Sequence, residues 1–134
     1  MNGYMLDTNI CIYIINNRPE SVRKQFELHI NDVICISSIT FQELYFGAKK
    51  SNRPEDAVNR IHTFTTSIDV PGYDQKAAEH AACIDMFLQQ QGKRIGPYDT
   101  QIAGHARSLE MVLVSNNTKE FDRVPELSTM NWAE

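Results

Sequence analysis

Asp7, Glu43 and Asp99 are the side chains of this sequence whose types and surroundings could do chemistry. Asp7 follows the apolar run Tyr4-Met5-Leu6. Glu43 lies inside Ile39-Thr40-Phe41-Gln42-Glu43-Leu44-Tyr45-Phe46. Asp99 follows Gly96-Pro97-Tyr98 and leads into Ile102, Ala103 and Ala106. Carboxylates embedded in apolar runs are costly unless something compensates them. For several together, a divalent cation is the commonest compensation. Three carboxylates within about 5 Å would raise one another's pKa values strongly. Magnesium or manganese would remove that repulsion and accept the oxygens in octahedral geometry. No histidine belongs to the set, which disfavours zinc. A hard cation held this way suits phosphate chemistry, since it polarises a phosphoryl oxygen and supplies a hydroxide.

Each residue also has a plainer reading. Asp7-Thr8-Asn9 can be a turn that caps the following helix. Asp99 stands in the first turn after Pro97, where any acid is favoured by the helix dipole. Asn117 followed by Glu120 has the spacing of a capping box. Glu43 is hardest to dismiss, because a core-facing glutamate without a partner would be strongly destabilising. The functional reading therefore rests on the set of acids.

The elements that must position these residues follow from pattern. Tyr4-Met5-Leu6, Val33-Ile34-Cys35-Ile36 and Met111-Val112-Leu113-Val114 are short continuous apolar runs, the mark of strands buried on both faces. Ser67-Ile68-Asp69-Val70 reads as a further short strand. Helices are expected over Ile10–Ile15 with Asn9 as cap, from Pro19 to about Leu28, and from Ser37 or Ser38 to Ala48. Others run from Pro54 to about Phe64, from Asp74 to Gly92, and from Pro97 to about Leu109. The third of these is apolar almost all round, so Glu43 is expected to be at least partly buried with it. The fifth packs Ala77, Ala78, Ala81, Ala82 and Ile84 on its inner side. Asn117 begins a last helical turn, and a tail with Trp132 follows. Strands alternating with helices indicate an α/β fold with a parallel sheet. The expected architecture is a three-layer sandwich over residues 1–134, one domain, with about four or five mostly parallel strands flanked by helices. In such sheets ligands bind beyond the carboxyl ends of the strands. That rule puts Asp7 and the segment Ser115-Asn116-Asn117 on one rim.

Composition sets the limits. The chain has 134 residues, 42% hydrophobic and 22% charged, as in a soluble globular protein. No apolar run approaches the ~18 residues of a membrane span, and no signal-peptide pattern opens the sequence, so the expected compartment is the cytoplasm. Cys11, Cys35 and Cys83 lack metal-binding spacing and read as small buried hydrophobes. A formal net charge of -4 excludes nucleic-acid binding by bulk electrostatics. Contact with nucleic acid would have to be local, through a bound metal or a basic patch. Lys49, Lys50, Lys93 and Arg94 form the candidate patches, and their plain reading is solvated helix ends. His105 lies off the Asp99 face at helical spacing and reads as structural or exposed.

The order of these motifs resembles that of PIN-domain ribonucleases. Met5-Leu6-Asp7-Thr8-Asn9 is similar to their opening motif, and Ser38-Ile39-Thr40-Phe41-Gln42-Glu43-Leu44 with Gly47 to their second. Gly96-Pro97-Tyr98-Asp99 with Ile102-Ala103 resembles the third, and Val114-Ser115-Asn116-Asn117 with Glu120-Phe121 the fourth. Length and order look like the VapC toxins of type II (VapBC) toxin–antitoxin pairs, enterobacterial-type members included. The resemblance implies a magnesium-dependent endoribonuclease (manganese being an alternative), neutralised by a VapB-type antitoxin and commonly homodimeric. By family roles Asp7, Glu43 and Asp99 would be the metal ligands, and Asn9 would hold Asp7 by hydrogen bonding. Ser115 would orient a ligand on the same rim. Asn117 stands where many relatives carry an aspartate, which weakens the case for a second ion. The implied substrate is RNA, with the initiator tRNA anticodon stem-loop carried over from relatives of similar motif wording. Hydrolysis by water would leave 5′-phosphate and 3′-hydroxyl ends. A haloacid-dehalogenase-type phosphatase would need an acid where Asn9 stands. A receiver domain would need adjacent acids and a lysine directly after the strand ending at Val114. The remaining alternative is a non-catalytic metal- or partner-binding module of the same fold.

Overall fold

The computed structural model describes residues 3–134. The single-domain expectation over residues 1–134 extends to residues 1 and 2, which lie outside that range. Four strands form one sheet: β1 (Tyr4–Leu6), β2 (Ile34–Cys35), β3 (Val112–Val114) and β4 (Thr129–Met130). Their order is β2-β1-β3-β4 and every pairing is parallel. Around them run α1 (Thr8–Asn16), α2 (Glu20–Leu28), α3 (Ser38–Lys49), α4 (Pro54–Thr65), α5 (Gln75–Gln90), α6 (Pro97–Ser108) and α7 (Thr118–Phe121).

Strand alternation sorts the core into two layers. Tyr4, Leu6, Ile34, Ile36, Val112 and Val114 face one side, against α1, α2, α3 and α4. Met5, Cys35 and Leu113 face the other, against Ile84 and Leu88 of α5 and Ile102, Ala103 and Ala106 of α6. Both faces are covered, as a parallel sheet requires. α3 straddles the boundary, with Leu44 and Ala48 in the first cluster and Ile39 packed against the second. The expected three-layer sandwich is therefore present.

Local chemistry explains most element ends. Ser37 caps α3 by accepting from the Ile39 N–H at 3.0 Å. Asp74 caps α5 by accepting from the Ala77 N–H at 2.9 Å. Gly92, at φ +67°, takes the left-handed turn just after α5. Pro97 opens α6 at a position whose N–H would be unpaired anyway.

Several expectations need correction. The cap of α1 is Asp7 and not Asn9: its carboxylate accepts from the Ile10 N–H at 3.0 Å. Residues 67–70 contribute only a single parallel bridge, Cys35 with Asp69, because Pro71 ends the segment. β4 lies in the tail, where Leu113 N and Ser115 N donate to the Ser128 and Met130 carbonyls at 2.8 and 2.9 Å. Nothing in its own composition announced it; the exposed edge of β3 recruited it. Ala78, Ala82 and Cys83 are exposed on the outer side of α5. α3, although apolar almost all round, is not buried all round, since Phe46 is 65% exposed.

α5 and α6 pack in close contact at Gly104. A Cβ on Gly104 would fall 2.6 Å from the Ala81 backbone nitrogen. Only hydrogen fits there. Gly104→Ala must push the two helices apart, and we expect a loss of about 2–3 kcal/mol in urea unfolding. A variant as stable as the parent would refute this account of the packing.

Candidate active site

The sheet register decides which side chains meet. Leu6 pairs with Val114, so Asp7 and Ser115 leave neighbouring strands side by side. The Asp7 N–H still donates to the Val114 carbonyl at 2.9 Å. β1 is also where the strand order reverses, with β2 on one flank and β3 on the other. Crevices of this kind, beyond the carboxyl ends, are where open α/β sheets bind ligands.

Asp7 is 6% exposed. Burial pushes its pKa up. Hydrogen bonds from Ser115 and the Ile10 N–H pull it down, and the Glu43 charge raises it again. Glu43 reaches in from α3. Its Oε1 accepts from the Thr8 hydroxyl at 2.6 Å, and the same hydroxyl lies 3.5 Å from Thr40 Oγ1. Asp99 stands half-buried in the first turn of α6, above Ile102, Ala103 and Ala106. Its pKa rises to about 6 through burial first, then through the charges of Glu120, Asp7 and Glu43 and a hydrogen bond with Glu120.

Asp7, Glu43 and Asp99 thus share one site, and Glu120 joins them. Sequence reasoning treated Glu120 only as part of a capping box or as a neighbour in the fourth motif. The box does not form. The Asn117 N–H donates to Ser115 Oγ at 2.9 Å, and the Asn117 side-chain amide donates to Glu120 Oε2 at 2.7 Å. Asn117 therefore orients a carboxylate and does not cap α7. The signal was available in the three-residue spacing, which puts both side chains on one side of a single turn. Asn9 is exposed and makes no hydrogen bond to Asp7. That task falls to Ser115, because Asn9 already points outward on α1.

Among the described residues, none of the four acids forms an ion pair. Four carboxylates without an ion-pair partner, whose neighbouring charges raise the cost of ionising Asp7 and Asp99, suit a hard divalent cation in both type and charge. In the arrangement seen, no three acid, histidine or cysteine side chains of the described residues are drawn tightly enough to enclose one. Glu43 and Glu120 are held instead by neutral donors, Thr8 and Asn117.

His105 is buried at 1% exposure, with Nδ1 2.7 Å from Ser37 Oγ and the Tyr73 ring edge-on. Burial lowers its pKa. It ties α6 to the cap of α3, so its role is structural. Of the basic candidates, Arg94 forms a two-pronged pair with Asp85 at 2.9 Å, which occupies its guanidinium. Lys49, Lys50 and Lys93 are exposed.

Comparison with known proteins finds relatives along nearly the whole chain. Residues 4–127 match the model of the PIN domain family. A tRNA(fMet)-specific endonuclease VapC of Shigella flexneri is 49% identical over 133 residues, which cover 99% of this chain and 100% of the relative. A protein of the same description from Salmonella typhimurium is 44% identical, over 98% of this chain and 99% of that one. The crystal structure of DNA-bound VapBC from Salmonella typhimurium superposes with a TM-score of 0.92 at 44% identity, covering 98% of this chain and 99% of that chain.

Asp99 holds its proton more tightly when folded than when unfolded, where the ordinary value is 3.8. Its ionisation therefore costs stability as pH rises through about 6. In chelator, Asp99→Asn should gain melting temperature relative to the parent as pH goes from about 5 to about 7. The comparison with the variant cancels the opposite trend from His105. Excess magnesium should raise the parent's melting temperature at neutral pH and shrink that gap. A gap that ignores both pH and magnesium would show that the acids are not coupled.

Proposed function

This chain belongs to the PIN-domain family, among its VapC toxins, and on that premise we propose a metal-dependent endoribonuclease that cuts initiator tRNA in its anticodon stem-loop. The observation that carries the reading is the group of four carboxylates without a cationic partner at the switch point of the sheet. The substrate follows the relatives from Shigella flexneri and Salmonella typhimurium, which carry that specificity in their names.

Asp7, Glu43, Asp99 and Glu120 would hold magnesium, with manganese as the substitute. When bound, the ion would polarise a phosphoryl oxygen and make water a competent nucleophile near neutral pH. The chain's own residues do the rest. Ser115 and the Ile10 N–H fix the Asp7 carboxylate against rotation. Thr8 fixes Glu43 from the first residue of α1, and Asn117 fixes Glu120. All these donors are neutral, so they orient the acids without spending their negative charge. Attack by water leaves 5′-phosphate and 3′-hydroxyl ends.

The antitoxin would be of VapB type, as in the Salmonella VapBC complex. An apolar groove of about 340 Å³ runs beside Glu43, lined by Ile12, Ile15, Leu44, Ala48 and Ile61. An extended antitoxin segment laid there would reach the acids. We also infer a homodimer, as is common in the family.

Cleavage of initiator tRNA in magnesium tests the reading. Asp7→Asn should abolish it, since one ligand charge is lost. The fold should survive, because asparagine caps helices as well as aspartate does. Ser115→Ala should cost about 10- to 100-fold, by freeing Asp7. Asn9→Ala should stay within about twofold, as expected of a side chain that orients no ligand. Undiminished cutting by Asp7→Asn would overturn the assignment of the site, and a parent that does not cut at all would leave only the non-catalytic binding module.

A further inference from the structure

We propose that Phe46 is a stacking platform for an unpaired RNA base beside the cut, with Lys50 set over the ring to meet the neighbouring phosphate. The proposal rests on the endoribonuclease reading and names how that site takes its substrate.

Placement carries the argument. Phe46 and Lys50 follow Glu43 by three and seven residues on α3. At 3.6 residues per turn they lie about 60° and about 20° round the helix from Glu43, on the same side. Ile39 shares this stripe and packs against the cluster containing Ile102 and Ala103 of α6. The stripe therefore faces the side of the site that carries Asp99. Phe46 stands about 4.5 Å further along the helix axis than Glu43, within one base of a phosphate held at the acids.

The ring is also unusual for its surroundings. It is 65% exposed on a helix whose other aromatics, Phe41 and Tyr45, pack against each other and His62. The Lys50 ammonium lies 5.1 Å from its centroid. A cation over one face leaves the other for a base. Unpaired bases are commonly read by stacking on aromatics, and nearby lysines neutralise the backbone. In a chain of net charge -4, such a pairing must be local.

A second copy of the chain fits the ring less well. A stable protein interface covers roughly 800 Å² per partner around a centre depleted in lysine. Phe46 is one ring among Gln42, Lys49 and Lys50, all exposed.

The test is steady-state cleavage, in magnesium, of a synthetic RNA hairpin carrying the initiator tRNA anticodon loop. Phe46→Ala should raise KM about tenfold with kcat within about twofold. Phe46→Trp should keep the parental KM. A hairpin made abasic at the nucleotide next to the cut should show the same rise with the parent and no further rise with Phe46→Ala. An unchanged KM, or losses that add in that cycle, would overturn the proposal. Conversion of a dimer to a monomer by Phe46→Ala without that overlap would assign the ring to a protein contact and overturn it too. If the parent does not cut RNA at all while Asp7→Asn behaves identically, the endonuclease reading falls and stacking falls with it. Parental cutting with an indifferent Phe46 removes stacking alone.

Discussion

Four carboxylates gather at the carboxyl edge of this sheet, their charges raise the cost of ionising Asp99, and no ion pair among the described residues offsets it. The surrounding structure can be understood as a frame that keeps them there. Three of the acids are held by neutral donors, a backbone N–H and a serine on Asp7, a threonine on Glu43 and an amide on Glu120, while Asp99 shares a hydrogen bond with Glu120. Neutral donors fix direction and leave charge available. An arginine in any of those places would have neutralised that charge.

The frame is made by topology more than by any one contact. β1 lies inside the sheet, so Asp7 emerges in the crevice and not at an edge. α3 packs into both core layers, which lets Glu43 approach from outside the sheet. α6 sits close to α5 through Gly104 and is tied to the α3 cap through His105 and Ser37. Movement of either helix would move a carboxylate, so packing far from the acids bears on their spacing.

Much of this was legible in the chain. Three of the four strands, Asp7 as a residue beyond a strand, and the caps Ser37 and Asp74 follow from apolar runs and short-range hydrogen-bond chemistry. Three features were not. β4 carries no strong strand pattern, because it exists only to pair with β3. Asn9 read as a cap because an asparagine before an apolar run usually is one, yet Asp7 took the position two residues earlier. Glu120 read as a capping partner; its spacing from Asn117 tells that the two side chains meet, but not that the carboxylate then turns to Asp99 on a different helix.

The sequence by itself determined which residues could be strands and helices, which acids lay in apolar company, and the order of motifs that marks the PIN-domain family. Those are local properties, set by period, propensity and side-chain type. Only the tertiary structure decided that Ser115 and not Asn9 restrains Asp7, that Glu120 completes the acidic group, and that Phe46 is left bare beside it. Those outcomes depend on parallel register and on the placement of α3 and α6 across two core layers, and long-range geometry of that kind leaves no trace in neighbouring residues.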